Sequence, residues 1–349
     1  MSGMKRLTGS ILLLLVCLGG LPGPAFATDP YMNDLRTGLV LSSQEYLFND
    51  QFDSSITICR AYIGAHPDDP LGYLFCAISM MGKMADAEEH LYDEQYHAML
   101  NATRALAEHI LDSCDNRTAA WMHLFEGHTV AYRSLYESRF GSFVKAVKLG
   151  LAADNHYTKG LQADSTLIDL YAGLGSYHYW KSAKAGFLRW IGLFKNEKDR
   201  GIAELRRAAE SSLVHREVAR SSLIWIWLDR EEYDSAAATA SLLLDLYPHS
   251  RTLLWPLAQA RYRQESYPQA LETFRRIRDR LQTDPGNYYN LIECDYYIVD
   301  CLDRLNLPAE ATAAARVLGD YYANIGRPIM KKQQDKIRAL QKTAARQND

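Results

Sequence analysis

The sequence predicts an all-helical protein built from repeated helix pairs. Apolar residues recur at spacings of three and four, and turn-forming segments such as HPDDP (66–70) and TDPGN (283–287) interrupt them. The apolar–polar alternation typical of strands is nearly absent. In addition, two segments near the C-terminus match each other at a constant offset of 34 residues. A repeat of this length is typical of stacked helical units.

The first 27 residues are predicted to be a secretory signal peptide that takes no part in the fold. Lys5 and Arg6 precede the apolar run 11–18, and Ala25-Phe26-Ala27 supplies small residues for cleavage. The run is much shorter than the ~20 residues that a membrane-spanning helix needs. We therefore expect cleavage after Ala27 and a secreted protein, located in the periplasm of a bacterium, with no transmembrane segment.

Three regions are expected to follow the signal peptide. Residues 28–165 are expected to form irregular helical repeats. Phe52 and Ser55 fit the repeat pattern well, whereas residues 71–165 match it poorly. Residues 166–325 predict regular repeats with an insertion at 181–200. Residues 326–349 predict a polar and basic helix and tail that cap the array.

The strongest internal match joins residues 228–248 to residues 262–282. Each segment has the form aromatic-x-x-Ala followed by an amphipathic helix. The matched pairs are Tyr233 and Tyr267, Ala236 and Ala270, and Leu243 and Ile277. Small residues at such positions allow two helices to approach closely, so the pattern predicts tightly packed helix pairs.

With this repeat, the chain resembles the tetratricopeptide-repeat (TPR) family. That family has the first-helix pattern W-x2-L-G-x2-Y, and here Tyr171, Leu174 and Gly175 stand at its W, L and G positions, with His178 in place of the final Tyr. The segment 172–205 is also similar to a TPR subgroup with an insertion after a G-L-G helix. The resemblance implies a right-handed α-solenoid whose concave groove holds a protein or peptide.

The repeat register of the family implies which side chains line that groove. These residues combine aromatic rings, which give large contact areas to peptides or sugar rings, with a few polar groups. They are Tyr179, Trp180, Trp225, Asp229, Trp255, Gln259, Tyr262, Arg263, Tyr296, Asp300 and Arg304. The alternative is that the rings fill gaps between helices and belong to the core.

The insertion after the first helix of that repeat is apolar and basic. Phe187, Trp190 and Phe194 lie among lysines and arginines. One interpretation is a short helix that covers the neighbouring unit. The other is a docking segment that touches a partner or a membrane surface.

Motifs for chemistry are weak throughout the chain. The glycines of AGLGS (172–176) lie within a helical pattern and do not form a phosphate-binding loop. Gly175 is instead expected to be a close-packing residue of a first helix. His123 and His128 are five residues apart, which separates them by about 140° around a helix, whereas a metal site of the HExxH type needs four. We therefore expect these histidines at the surface, no metal and no cofactor. The net charge of −3 gives no indication of nucleic-acid binding.

Three functions remain open on this basis. The first is a non-enzymatic scaffold or adaptor of the cell envelope that holds a protein or peptide partner in the groove. The second is a solenoid that binds a carbohydrate or envelope polymer with the same aromatic row. The third is a hydrolase or lyase built on a helical toroid, which would require converging carboxylates that the sequence does not single out.

Overall fold

A computed structural model describes residues 29–184 and 195–346, and these residues contain helices without any strand. The all-helical prediction is therefore confirmed for the described part of the chain. In chain order the helices are α1 Asp34–Phe48, α2 Phe52–Ala65, α3 Pro70–Ala87, α4 Asp93–Leu111, α5 Asn116–Phe140, α6 Phe143–Ala163, α7 Leu170–Lys184, α8 Lys198–Ser211, α9 Arg216–Asp229, α10 Tyr233–Leu246, α11 Arg251–Arg263, α12 Tyr267–Arg280, α13 Tyr288–Arg304, α14 Pro308–Arg316, α15 Leu318–Tyr321, α16 Arg327–Lys332 and α17 Gln334–Ala344. The predicted signal peptide and the predicted docking residues Phe187, Trp190 and Phe194 lie outside the described residues.

The helices form a two-layer solenoid. From α1 to α14 each helix packs against the next one in the chain, and from α1 to α11 each odd-numbered helix also contacts the next odd-numbered helix. The odd-numbered helices therefore make one layer and the even-numbered helices the other, as in an array of antiparallel pairs. At the C-terminal end α17 packs on α13 and α14 and buries Ile337 and Leu340.

The repeat seen in the sequence corresponds to equivalent helices. Tyr233 begins α10 and Tyr267 begins α12, so the 34-residue offset separates the second helices of two adjacent pairs. Ala236 and Ala270 are fully buried, as expected for small residues where two helices cross. The poorly matching region has longer helices, since α5 has 25 residues and α6 has 21.

Two glycines bring α7 and α8 together. A Cβ atom built on Gly175 would lie 2.7 Å from the carbonyl oxygen of Gly201, and one built on Gly201 would lie 2.6 Å from the carbonyl oxygen of Gly175. Any side chain larger than hydrogen would collide with the backbone of the other helix. The glycine at the G position of the repeat thus serves close packing.

The array curves until its two ends touch, which the sequence does not predict. Asp50, in the turn after α1, accepts a 2.7 Å hydrogen bond from the hydroxyl group of Thr252 at the start of α11. Phe48 stacks on Tyr247 with the ring centroids 4.8 Å apart. Helix α3 also contacts α13. The early helices therefore pack against the late ones, instead of leaving an open superhelix.

A buried ion cluster joins the same two ends. The guanidinium group of Arg251, which is buried, lies 2.9 Å from the carboxylate of Asp86 at the end of α3. The side-chain amides of Asn287 and Asn290 donate to the same carboxylate, at 2.7 and 3.0 Å. Burial raises the pKa of Asp86 to about 6, although Arg251 opposes the shift. One cation and several hydrogen-bond donors thus hold a carboxyl group inside the closure, the contact between the early and the late helices.

Helix α3 is apolar around most of its circumference because it lies between α1, α5 and α13 as well as its neighbours in the chain. Its buried residues include Leu74, Phe75, Met80 and Met84. It begins where Asp69 accepts a hydrogen bond from the backbone N–H of Leu71, with Pro70 at the first helical position. No helix in the described part of the chain is long and apolar enough to cross a membrane.

Candidate functional site

The candidate binding face is formed by α9, α11 and α13, which carry most of the predicted groove residues. Trp225 is 40% exposed, an unusual value for so large a ring. Asp229, Arg263 and Arg304 are also exposed, whereas Gln259 is half-buried. Trp225 and Asp229 are four residues apart on α9 and so share one side of that helix.

A shallow cavity lies between α9 and α11 on this face. It has a volume of about 200 Å³ and is lined by Leu228, Asp229, Glu231, Tyr233, Gln259 and Arg263. A second cavity, of about 300 Å³, shares Glu231 and Tyr233 with the first. The structure therefore brings together three residues predicted from the repeat register, namely Asp229, Gln259 and Arg263. Leu228, Glu231 and Tyr233 were not predicted, because Glu231 lies in the turn after α9, Tyr233 begins α10, and Leu228 is not at a groove position of the repeat register.

The predicted position of Tyr179 is wrong, because its ring is fully buried. Its hydroxyl group donates a 2.7 Å hydrogen bond to Asp229 of α9, the next odd-numbered helix in the chain. Burial and this hydrogen bond raise the pKa of Tyr179 well above its usual range, so the hydroxyl stays protonated and acts as a donor. The ring fills the space between repeats, as the alternative interpretation required.

Tyr262, on α11, makes the same kind of interaction two helix pairs further along. Its hydroxyl group donates to the carboxylate of Asp300 at 2.5 Å, and its ring is half-buried. Arg304 lies 3.2 Å from the same carboxylate and also donates to the hydroxyl oxygen of Tyr267 at 3.1 Å. Tyr262, Asp300 and Arg304 thus satisfy one another, which leaves them less free to bind a partner than the prediction assumed.

The remaining predicted rings are half-buried and pack at the edge of the core. The ring of Trp180 lies edge-on to Tyr179 with centroids 5.2 Å apart, and Trp255 lies edge-on to Phe274 at 6.0 Å. Tyr296 is covered by the ammonium group of Lys336 at 5.8 Å from the ring centroid. The predicted continuous aromatic row is therefore reduced to one exposed ring, Trp225, beside polar groups.

A second cluster of functional groups lies between α5 and α6. One carboxylate oxygen of Glu126 is 2.9 Å from Nδ1 of His123 and 3.0 Å from Nδ1 of His156. Burial opposes ionisation of Glu126, but the hydrogen bonds from the two histidines outweigh it and lower the pKa of Glu126 to about 2. The expectation that His123 lies at the surface is wrong, because its side chain is only 17% exposed and is bonded to Glu126. The second histidine partner of Glu126, His156, comes from the neighbouring helix, which spacing along one helix cannot show.

His128, the other histidine considered from the sequence, belongs to a separate network. Its Nε2 is 3.4 Å from Nε2 of His215, and its Nδ1 is 2.9 Å from the hydroxyl oxygen of Tyr157. His215 is bonded in turn to the buried carboxylate of Asp169 at 2.9 Å. Burial and the neighbouring His215 lower the pKa of His128 to about 3, so this ring is neutral. His128 thus connects α5, α6 and α9 through hydrogen bonds.

The architecture defines the chain as an all-α solenoid of TPR-like helix pairs, with paired layers, a 34-residue offset and small residues at the crossings. Among solved structures, the crystal structure of yeast Tom70 is similar over 93% of this chain and 67% of that chain, with 12% sequence identity and a TM-score of 0.41. No protein-family model matches the sequence, and no curated protein matches it. The description of the class rests on the helix packing and the repeat of this chain.

Proposed function

We propose that the protein is a non-enzymatic scaffold that binds a protein or peptide partner on the face formed by α9, α11 and α13. The observation that carries this proposal is an exposed tryptophan beside a cavity lined by polar groups that are free to bind. Trp225 is 40% exposed, while most large rings of the described helices are buried or half-buried. Exposed aromatic rings next to a concave polar surface are typical anchors of protein interfaces.

Three polar groups of the cavity support binding because no other residue of the described chain uses their side chains in a hydrogen bond. Within residues 29–184 and 195–346, these are the side chains of Glu231, Gln259 and Arg263. A carboxylate, an amide and a guanidinium group therefore face the same cavity. Such groups recognise the backbone and charged side chains of a peptide and set its orientation.

The charges favour a partner with at least one basic group. The two adjoining cavities are lined by Asp229, Glu231, Glu232 and Asp234, against Arg263 as the cation. Asp229 and Glu232 are already bonded to Tyr179 and Arg230. Glu231 is therefore the carboxylate best able to receive a lysine or arginine of the partner, while an apolar partner residue packs on Trp225.

Affinity capture from cell-envelope extract tests the proposal. Wild-type protein is compared with Trp225→Ala and Glu231→Lys, and Leu246→Ala serves as the matched control because this apolar residue is 56% exposed on the outer helix α10. We expect wild type and Leu246→Ala to retain the same protein. Loss of an interface anchor typically costs about 2 kcal/mol or more, so Trp225→Ala should reduce capture roughly thirtyfold.

Two other outcomes of this capture experiment would contradict the proposal. If Trp225→Ala has the helix content of wild type and retains every partner, the proposed face is not the binding site. If the captured material survives protease and contains sugar, the partner is an envelope polymer and the second function from the sequence replaces the first.

We also propose that the protein is exported and begins at Thr28 after cleavage of residues 1–27. The charged, apolar and small-residue segments of the N-terminus support this proposal. Mass spectrometry of the protein purified from a periplasmic fraction should give a chain that starts at Thr28. An intact N-terminus in the cytoplasmic fraction would rule out export.

A further inference from the structure

We propose that His123, Glu126 and His156 form a binding site for a divalent transition metal ion, and that zinc is the ion that fits them best. The site lies between α5 and α6 and is distinct from the face formed by α9, α11 and α13. Its ligand set, two imidazoles and one carboxylate, is one that proteins use for zinc. No role in catalysis is required for this inference.

The three side chains converge from two helices. His123 and Glu126 are three residues apart on α5 and therefore share one side of that helix. His156 comes from α6, which packs along α5. One nitrogen of each ring and one oxygen of the carboxylate all lie within 4.8 Å of one another.

The distances between the carboxylate and the two rings are close to those of a zinc site. Zinc–ligand bonds of about 2.0–2.1 Å in a tetrahedral site place the ligand atoms about 3.3 Å from each other. Here the two imidazole nitrogens are 2.9 and 3.0 Å from the same carboxylate oxygen. To become zinc ligands, these two contacts must open by a few tenths of an ångström. One nitrogen of each ring lies within 4.8 Å of the other, and this pair must come to the same tetrahedral spacing.

The cluster combines a buried carboxylate with imidazole rings that are partly exposed. The side chain of Glu126 is 8% exposed, while those of His123 and His156 are 17% and 22% exposed. The carboxylate is thus held in the protein, and the rings reach solvent, from which an ion can enter. A water molecule can complete the coordination at the exposed side, as in open zinc sites.

Other histidine–carboxylate contacts in the described residues do not share this geometry. His178 uses different ring nitrogens for its two carboxylates, Glu204 at 2.6 Å and Asp154 at 3.7 Å. His90 pairs with Asp93 at 2.7 Å in an exposed i,i+3 arrangement. Neither places two imidazole nitrogens on one oxygen. The donor types also disfavour calcium and magnesium, which prefer sites made of oxygen ligands alone.

Isothermal titration of the purified protein with zinc chloride tests the proposal. The protein carries no histidine tag and is first treated with a chelator. We expect one zinc ion per chain for wild type, and an affinity at least about tenfold lower for Glu126→Gln and for His156→Gln. The matched control is His90→Gln, which removes a histidine from the i,i+3 pair with Asp93 and should leave the affinity unchanged.

Cobalt(II) provides an independent readout, because its visible absorption is strong in tetrahedral sites and weak in octahedral ones. His156→Gln alters a partly exposed ring, so it keeps the test valid if Glu126→Gln does not fold. The proposal is overturned if wild type binds no zinc at a one-to-one ratio. It is also overturned if the folded cluster variants bind zinc as tightly as wild type.

Discussion

Replacement of Gly175 by alanine tests the packing that defines the repeat. The new Cβ would lie 2.7 Å from the carbonyl oxygen of Gly201 and 2.9 Å from the backbone nitrogen of Leu205, both on α8. Real Cβ contacts are essentially never so short. Backbone atoms cannot rotate away as a side chain can, so α7 and α8 must move apart to accept the methyl group.

The expected magnitude combines two opposing effects. Forcing an extra methyl group into a close-packed contact costs about 1–3 kcal/mol, and a contact with backbone atoms on both sides belongs to the upper part of that range. Alanine is about 1 kcal/mol more favourable than glycine within a helix. The net loss of unfolding free energy should therefore be about 1–2 kcal/mol, which lowers Tm by about 1.5–3 °C for a chain of this size.

Thermal unfolding followed by circular dichroism measures the effect against a matched control. Gly38 lies within α1, and no atom lies within 4 Å of a Cβ built there. Gly38→Ala should therefore gain up to about 1 kcal/mol from helix propensity alone. The difference between the two variants isolates the α7–α8 contact, since the chemical change is identical.

Gly201→Ala should behave like Gly175→Ala, because its Cβ would lie 2.6 Å from the carbonyl oxygen of Gly175. The reasoning is refuted if Gly175→Ala unfolds at the same temperature as Gly38→Ala or above it. In that case the two helices have room for a methyl group, and the glycine has no packing role.

Two further predictions concern the closure and the contact between repeats. Burial raises the pKa of Asp86 from an ordinary value near 4 to about 6. The protonated carboxyl group therefore stabilises the fold fully below pH ~4, and this contribution is lost as the pH rises through about 6. From about pH 4.5 to 7.5 the free energy of unfolding should fall by about 2 kcal/mol, because the full slope applies over roughly 1.5 pH units below the pKa. Urea unfolding at the two pH values should show that Asp86→Asn lacks this fall. If the free energy of unfolding falls by the same amount in Asp86→Asn as in wild type, Asp86 is not the group responsible. Tyr179→Phe removes the 2.7 Å hydrogen bond to Asp229 and should cost about 1 kcal/mol in urea unfolding, whereas no loss would mean that ring packing alone holds this contact.

The sequence predicted the parts of this protein that depend on one helix or on two helices adjacent in the chain. The apolar period of 3.6 residues and the turn segments identified the helices, since each helix must bury one side. The 34-residue offset from Tyr233 to Tyr267 identified equivalent helices. Gly175 was also predicted correctly as a close-packing residue, because its neighbour α8 follows directly in the chain.

The accessibility of the predicted groove residues depended on the curvature of the whole array. Tyr179 and Trp225 both occupy first helices, yet one ring is fully buried and the other is 40% exposed. A helical pattern shows which side of a helix is apolar, but not how close the next repeat comes to it. The small angle between successive pairs decides that distance, and it accumulates over the array.

Contacts between segments distant in the chain were determined by the tertiary structure alone. Asp86 meets Arg251, 165 residues away, and His156 joins His123 and Glu126 from a second helix. No periodicity relates such residues, because each lies on its helix for reasons local to that helix. The sequence therefore determined the helices, their pairing and their repeat, whereas the curvature of the folded array decided which rings reach solvent and which polar groups converge.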